Sequence, residues 1–199
     1  MKKNSFSVII LTYNRNKELQ VALNSVYNQS YKPSEIIVVN NYPKKIKKNY
    51  LKLRKKIKIK IFNSAKNRNA GGGRNYGAKF AKYEYLAFLD DDDFWGKYYL
   101  YNASKLIKRH NPDVILSNLF YMNDKNKILK KIYQPTIQEC FIKNPGSMGS
   151  NLIARKKSFM KLKGYKNIFV PAEDKEFLIR VLQAKMKINI SNGKVFYNL

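Results

Sequence analysis

The chain has 199 residues, 44% hydrophobic and 14% aromatic, which is enough for one sizeable core and too apolar for a disordered chain. Forty Lys and Arg stand against thirteen Asp and Glu, a formal charge of +27. No run of about eighteen apolar residues is present, so no membrane-spanning helix is predicted. Lysine outnumbers arginine 33 to 7, whereas surfaces that read nucleic-acid bases lean on the arginine fork. The charge therefore reads as a solvated lysine surface with attraction to anionic lipid, and no nucleic-acid partner is expected. Cys140 is the only cysteine, which excludes an internal disulfide and a cysteine zinc cluster and fits a reducing cytosol. The sole histidine, His110, stands in the polar stretch "KRHNP", so Cys140 is read as a buried, inert thiol.

The elements alternate along the chain. "FSVIIL" (Phe6–Leu11) is a continuous apolar run, predicted as a strand buried on both faces. It follows a basic start but is too short for the core of a signal peptide, and polar residues follow it. "NKELQVALNSVYNQ" puts Leu19, Ala22, Leu23 and Val26 on one helical stripe. "EIIVV" (Glu35–Val39) is a second buried strand, residues 44–56 a basic helix or loop, and "IKIKIF" (Ile57–Phe62) a strand exposed on one face. The glycine-rich "NRNAGGGRNYGAKFAK" is expected to enter a helix near Arg74, "YEYLAFL" is the next strand, and "KYYLYNASKLIKRH" a helix burying Leu100, Ala103 and Ile107. "DVILSNLFYM" is a further strand. Strands alternating with helices imply right-handed crossovers and a mainly parallel sheet covered on both faces. After Lys125 the pattern loosens. A hairpin arm ("KNKILKKIYQP"), then a glycine/serine loop, short strand and helix ("GSMGSNLIARKKSFMKLKGY"), lead to the helix "AEDKEFLIRVLQAK". "KINISNGKVFYNL" is read as a final hairpin turning at Asn192-Gly193. No linker separates the two halves, so residues 1–199 are read as one domain, with a nucleotide-binding half over 1–124 and site-completing elements over 125–199.

Ligands of parallel α/β sheets bind beyond the carboxyl ends of the strands, and three such ends carry polar clusters: "TYNR", "NNYP" and "DDDD". Asp90 to Asp93 are four adjacent carboxylates in a strongly basic chain. Each close pair would cost roughly 1–4 kcal/mol without neutralisation, so either full solvation or a bound cation is implied. Asp90 and Asp92, two apart, can face one way and hold Mg²⁺ or Mn²⁺, with substrate phosphates completing the shell. An EF-hand is excluded because Phe94 and Trp95 stand where an oxygen ligand and a glycine are needed. No Walker A loop accompanies the strand, and Tyr76 occupies the third glycine position of a dinucleotide fingerprint. The glycines of "NAGGGRNYG" are read as admitting backbone close to a ligand, with Arg74 offering a fork to a diphosphate. Glu173, Asp174 and Glu176 open an apolar helix, where they either complement its dipole or supply a general base for a sugar hydroxyl.

In this order, "SVIILTYNR", "EIIVVNN", "NRNAGGGRNYGA", "YLAFLDDDDFW", "GSNLIARKKSF" and "AEDKEFLIR" resemble the family 2 glycosyltransferases, with the Rossmann-like GT-A fold of nucleotide-diphospho-sugar transferases. The resemblance spans nearly the whole chain. It implies a UDP-sugar donor, a glycan or lipid-linked acceptor, bacterial surface polysaccharide synthesis, and a cytoplasmic location peripheral to the membrane. It puts Thr12, Tyr13, Arg15, Asn40, Asn41, Arg74, Asn75, Asp90 and Asp91 against the donor nucleotide and sugar. By the same resemblance Asp92 would be the metal ligand, with Asp90 as its Asp-X-Asp partner and Mn²⁺ or Mg²⁺ as cofactor. The resemblance likewise implies Asp174 as the base, Glu173 as an acceptor or donor contact, and inversion by single displacement as the reaction. Three features depart from the family pattern. Asn40-Asn41 stand where a base-binding acid is usual, Asn67, Asn69 and Gly73 precede Arg74-Asn75 where N-x-G-x-x-x-A-R-N is usual, and many members continue past the position of Leu199. Two other classes compete: a nucleotidyltransferase, which would need a basic glycine-rich loop near the N-terminus, and a basic nucleic-acid module, which would need aromatics interleaved with arginine on one platform.

Overall fold

The computed structural model describes residues 5–46, 51–52, 57–63, 69–124, 127–166, 168–169 and 171–198. Asn67 and most of the basic stretch 44–56 lie outside them. The strands are β1 (Phe6–Thr12), β2 (Glu35–Asn40), β3 (Lys58–Asn63), β4 (Tyr85–Asp90), β5 (Phe94–Trp95), β6 (Val114–Tyr121), β7 (Ile128–Lys130), β8 (Leu152–Arg155) and β9 (Ile188–Tyr197). The helices are α1 (Asn16–Tyr27), α2 (Ala70–Phe80), α3 (Tyr99–His110), α4 (Ile137–Ile142), α5 (Lys156–Lys161) and α6 (Glu173–Gln183). Among the described residues no helix is long and apolar enough to cross a membrane.

One curled sheet runs in the order β3-β2-β1-β4-β8-β6-β9-β5, with β7 beside β6. The first four strands are parallel, β8 is antiparallel to both its neighbours, and β9 returns parallel to β6. The apolar runs of β1, β2 and β4 require cover on both faces, and they have it. Val8 and Ile10 face α1 and α3, packing with Leu23, Val26, Leu100 and Ala103. Ile9 points the other way, into a cluster with Ala78, Phe88, Phe159 and Phe177 from the α2, α5 and α6 side. Register brings the polar ends together: Thr12 pairs with Asn40 on one side, and Leu11 with Asp90 on the other.

Two expectations are corrected. α2 begins at Ala70, not near Arg74, with the Asn69 side chain accepting from the Gly72 N–H at 2.8 Å as its N-cap. Three of its glycines approach protein, not open cleft: a Cβ on Gly71 would sit 2.9 Å from that of Tyr165, one on Gly77 2.6 Å from Cγ2 of Ile9, and one on Gly73 would strike Leu11 and Asn41. The absence of those Cβ atoms lets α2 ride close against the sheet. The C-terminal segment is one strand rather than a hairpin. Its pairing with β6 jumps from Ser117–Ser191 to Asn118–Lys194, so Asn192 and Gly193 form a bulge within β9.

Candidate functional site

The carboxyl ends of β1 and β4 open onto a cleft of about 330 Å³ lined by Thr12, Tyr13, Arg15, Asn41, Arg74 and Asp90 to Asp92, and by Tyr197 and Asn198 at the end of β9. A larger hollow of about 690 Å³ lies between α1 and β5, walled by Val21, Ser25, Trp95 and Lys97, and contains none of these groups. The polar cleft is therefore the chemical candidate.

The four aspartates are not equivalent. Asp91 is buried and accepts from Oγ1 of Thr12 at 2.6 Å, from the Tyr13 N–H at 3.3 Å, and from Arg15 at 3.5 Å. It fixes the turn that follows β1. Burial lifts its carboxyl to about 6, opposed by the Thr12 hydrogen bond. Asp92, more exposed, pairs with Arg15. Asp93 is buried and accepts from the Asn198 N–H at 2.9 Å, and burial pushes its carboxyl to about 7. Both oxygens of Asp90 accept from Nη2 of Arg74 at 2.8 Å. Two arginines thus offset the repulsion among Asp90, Asp91 and Asp92.

Arg74 is the hub. It is buried, it lies against the ring of Tyr165, and a Cβ on Gly149 would collide with its guanidinium. While Nη2 holds Asp90, Nη1 lies 3.4 Å from Glu173 and 3.5 Å from Asp174 at the start of α6. One cation thus faces three carboxylates from two distant segments. Burial works against the Arg74 charge, but Asp90 and Asp174 outweigh it and raise its pKa. Asp174 is buried, which lifts its carboxyl to about 6 despite the pull of Arg74.

The predicted residues divide accordingly. Thr12, Tyr13, Arg15, Asn41, Arg74, Asp90, Asp91 and Asp92 meet at the cleft. Glu173 and Asp174 join them through Arg74. Arg74 is spent on carboxylates in this state rather than open to a diphosphate. Asn40 and Asn75 do not reach the cleft lining. Asn40 donates to the Lys44 carbonyl and to Asn63 and accepts from the Tyr42 N–H, which pins the 40–46 loop. Asn75 exchanges two hydrogen bonds with the backbone of Tyr165. Sequence reading missed Tyr197, Asn198, Ser150 and Gly149. Ser150 accepts from the Asp90 N–H and its carbonyl accepts from Trp95 Nε1, locking the acidic turn to the loop before β8. Reading β9 as a single strand parallel to β6 would have delivered Tyr197 and Asn198 to the same sheet edge.

A divalent cation fits these residues in part. Among the described residues no cluster of three or more His, Cys, Asp or Glu forms a complete cage. Asp90 and Asp92 both border the cleft, and two carboxylates with phosphate oxygens suit a hard cation.

The model of the family described as "Glycosyl transferase family 2" matches residues 7–167. The uncharacterized glycosyltransferase MJ1057 of Methanocaldococcus jannaschii is 27% identical, over 96% of this chain and 69% of its own. The poly(ribitol-phosphate) beta-N-acetylglucosaminyltransferase TarS of Staphylococcus aureus is 28% identical, over 96% of this chain and 35% of its own. Crystal structures of TarS residues 1–349 superpose with TM-scores of 0.78 (complex with UDP) and 0.76 (complex with UDP-GlcNAc) at 22% identity, over 98% of this chain. This chain spans about a third of full-length TarS and 59–60% of those solved chains. The UDP-Glc:alpha-D-GlcNAc-diphosphoundecaprenol beta-1,3-glucosyltransferase WfaP of Escherichia coli is 28% identical over 85% of this chain and 66% of its own.

Proposed function

Because the chain belongs to glycosyl transferase family 2, we propose that it moves a sugar from a UDP donor to a glycan or lipid-linked acceptor, with inversion, in surface polysaccharide synthesis. One observation carries the reading: Arg74 ties the acidic end of β4 to the acidic start of α6, so donor-side and acceptor-side carboxylates belong to one site. The name of WfaP and the UDP-GlcNAc complex of TarS support a UDP-sugar donor, and the poly(ribitol-phosphate) and diphosphoundecaprenol named for TarS and WfaP support a glycan or lipid-linked acceptor. The GT-A fold supports the same class. We take residues 1–199 as one catalytic unit, since β8 and β9 of the second half are sheet neighbours of β4 and β6 of the first.

In this reading the nucleotide rests on the turn after β1, between Thr12, Tyr13 and Asn41. The Tyr13 ring is half exposed and meets Tyr42 edge-on at 5.1 Å, giving an apolar face for a base. Asp90 and Asp92 would hold Mn²⁺ or Mg²⁺, which when bound offers Lewis-acid stabilisation of the departing diphosphate. Arg15, half exposed beside Asp92, pairs with the diphosphate oxygens. Asp174 takes the proton of the acceptor hydroxyl as that oxygen attacks the anomeric carbon. A carboxyl lifted to about 6 is still ionised at neutral pH and more basic than an exposed one. Glu173, paired with the same guanidinium, contacts the sugar or the acceptor beside it.

Calorimetry with UDP, UDP-GlcNAc and UDP-glucose, with and without Mn²⁺, tests the donor assignment. Binding of a UDP-sugar strengthened by Mn²⁺ is the expected result. No binding of any nucleotide sugar in either condition would remove it.

A further inference from the structure

The end of α6 that carries Asp174 is flanked by apolar side chains that no packing role explains. Ile142 and Ile168 are each 84% exposed and Phe141 is 68% exposed. Phe169 is 42% exposed. Phe141 and Ile142 close α4, which packs on α6 and buries only Cys140. Five residues after Ile142, Ser147 donates to the Asp174 carbonyl at 3.4 Å. The Phe169 carbonyl accepts from the Ala172 N–H, immediately before α6. Both apolar pairs are therefore tied to the Asp174 end of α6. Isolated exposed apolar residues are ordinary, but two adjacent pairs at one helix end are a surface feature.

The stretch of chain that carries them is basic. From residue 140 to residue 172 the sequence holds seven Lys and Arg and no acid. Lys143 follows Ile142, and Nζ of Lys166 lies 5.9 Å from the Phe169 ring. The acids at this end of α6 are engaged internally: Glu173 and Asp174 with Arg74, and Glu176 with Arg180 and Lys166. Protruding apolar side chains borne on a lysine-rich stretch complement an anionic lipid surface, with apolar tips entering the acyl boundary and ammonium groups at the headgroups.

We infer that this face, from the end of α4 to the turn before α6, docks on an anionic bilayer. It goes beyond the sugar-transfer reading, and it would bring an acceptor held in the bilayer beside Asp174. A docking face on the wall away from Asp174 would have no such consequence.

Co-sedimentation tests it with vesicles of phosphatidylcholine, with and without phosphatidylglycerol, at about 0.15 M salt. The wild type is expected to bind only the phosphatidylglycerol vesicles. Ile142→Asn with Ile168→Asn should weaken that binding about tenfold or more, with the thermal melt unchanged because both positions are exposed. Tyr98→Ser with Tyr101→Ser, exposed aromatics at the start of α3, should bind as wild type. Equal binding by the isoleucine variant, equal loss in the tyrosine variant, or no vesicle binding at all each overturns the proposal. So does concentration-dependent dimerisation without lipid that the isoleucine variant abolishes, since the face is then an interface between copies. UDP-sugar binding measured without vesicles should be the same in all three proteins. Its absence from the wild type counts against the sugar-transfer reading alone.

Discussion

Nη2 of Arg74 donates to both carboxylate oxygens of Asp90 at 2.8 Å, across a sequence gap of sixteen residues, while Nη1 of the same side chain reaches α6 a hundred residues on. The acidic ends of β4 and α6 would repel if brought together bare. The guanidinium makes their convergence tolerable, and the missing Cβ of Gly149 makes room for it.

Arg74→Ala should therefore destabilise the fold by roughly 3–5 kcal/mol, because three partly or fully buried carboxylates lose their common cation. Arg74→Lys keeps the charge but cannot serve Asp90 and α6 with separate nitrogens, so it should lie between alanine and wild type. Urea unfolding at pH 7.5 decides: a change below about 1 kcal/mol for alanine would show that the carboxylates re-solvate.

Asp91 and Asp92 are neighbours with opposite expected phenotypes. Asp92→Ala removes an exposed carboxylate paired only with Arg15, so the melt should stay within a few degrees of wild type while Mn²⁺-dependent UDP-sugar affinity is lost. Asp91→Ala strips buried partners from Thr12 and Tyr13 and should lower stability by roughly 1–3 kcal/mol. Paired calorimetry and thermal melts separate them. A destabilised Asp92→Ala with intact donor binding would reverse the two roles.

Much of this was legible beforehand. β1, β2 and β4 are unbroken apolar runs because both faces are covered, and α1 and α3 show their buried stripe as spacing. Legibility failed where tertiary packing overrode local preference. Three glycines in a row argue for a loop, yet Gly71 to Gly73 are helical, and at Gly71 and Gly73 Tyr165 and the sheet leave no space for a Cβ. Asn192-Gly193 carries a hairpin signal, yet the chain continues straight and uses the pair as a bulge, where a Cβ on Gly193 would sit 2.9 Å from the Tyr99 ring. Asn40 and Asn75 could not be sorted from Asn41 by sequence, because a buried amide that satisfies backbone and one that borders a cleft have the same composition.

Gly77→Ala should cost roughly 1–3 kcal/mol, since its Cβ would lie 2.6 Å from Ile9 and 3.1 Å from Val39, both buried in the sheet. The helix can relieve the clash only by lifting, which draws Arg74 away from Asp90. Donor binding should weaken along with stability. A variant of unchanged melt and unchanged donor affinity would show that α2 has slack the packing does not reveal.

Asp174 gives the sharpest test because its ionisation links stability and turnover with opposite signs. Its carboxyl is lifted from 3.8 to about 6, first by burial and then by Asp90 and Glu173, against the pull of Arg74. A raised folded-state pKa means the folded protein holds this proton more tightly than the unfolded chain. The contribution to stability is full below about pH 4 and is lost as pH rises through 6. At neutral pH the ionised Asp174 therefore weakens the fold, and Asp174→Asn should unfold at equal or higher urea than wild type. Catalysis runs the other way, because only the ionised form accepts a proton. Wild-type turnover should fall as pH drops below about 6, whereas Asp174→Asn should lack that limb and be slower by about 10²–10⁴ at pH 7.5, with donor affinity kept. Turnover of Asp174→Asn at the wild-type rate under saturating acceptor would transfer the role of base to Glu173 or Glu176.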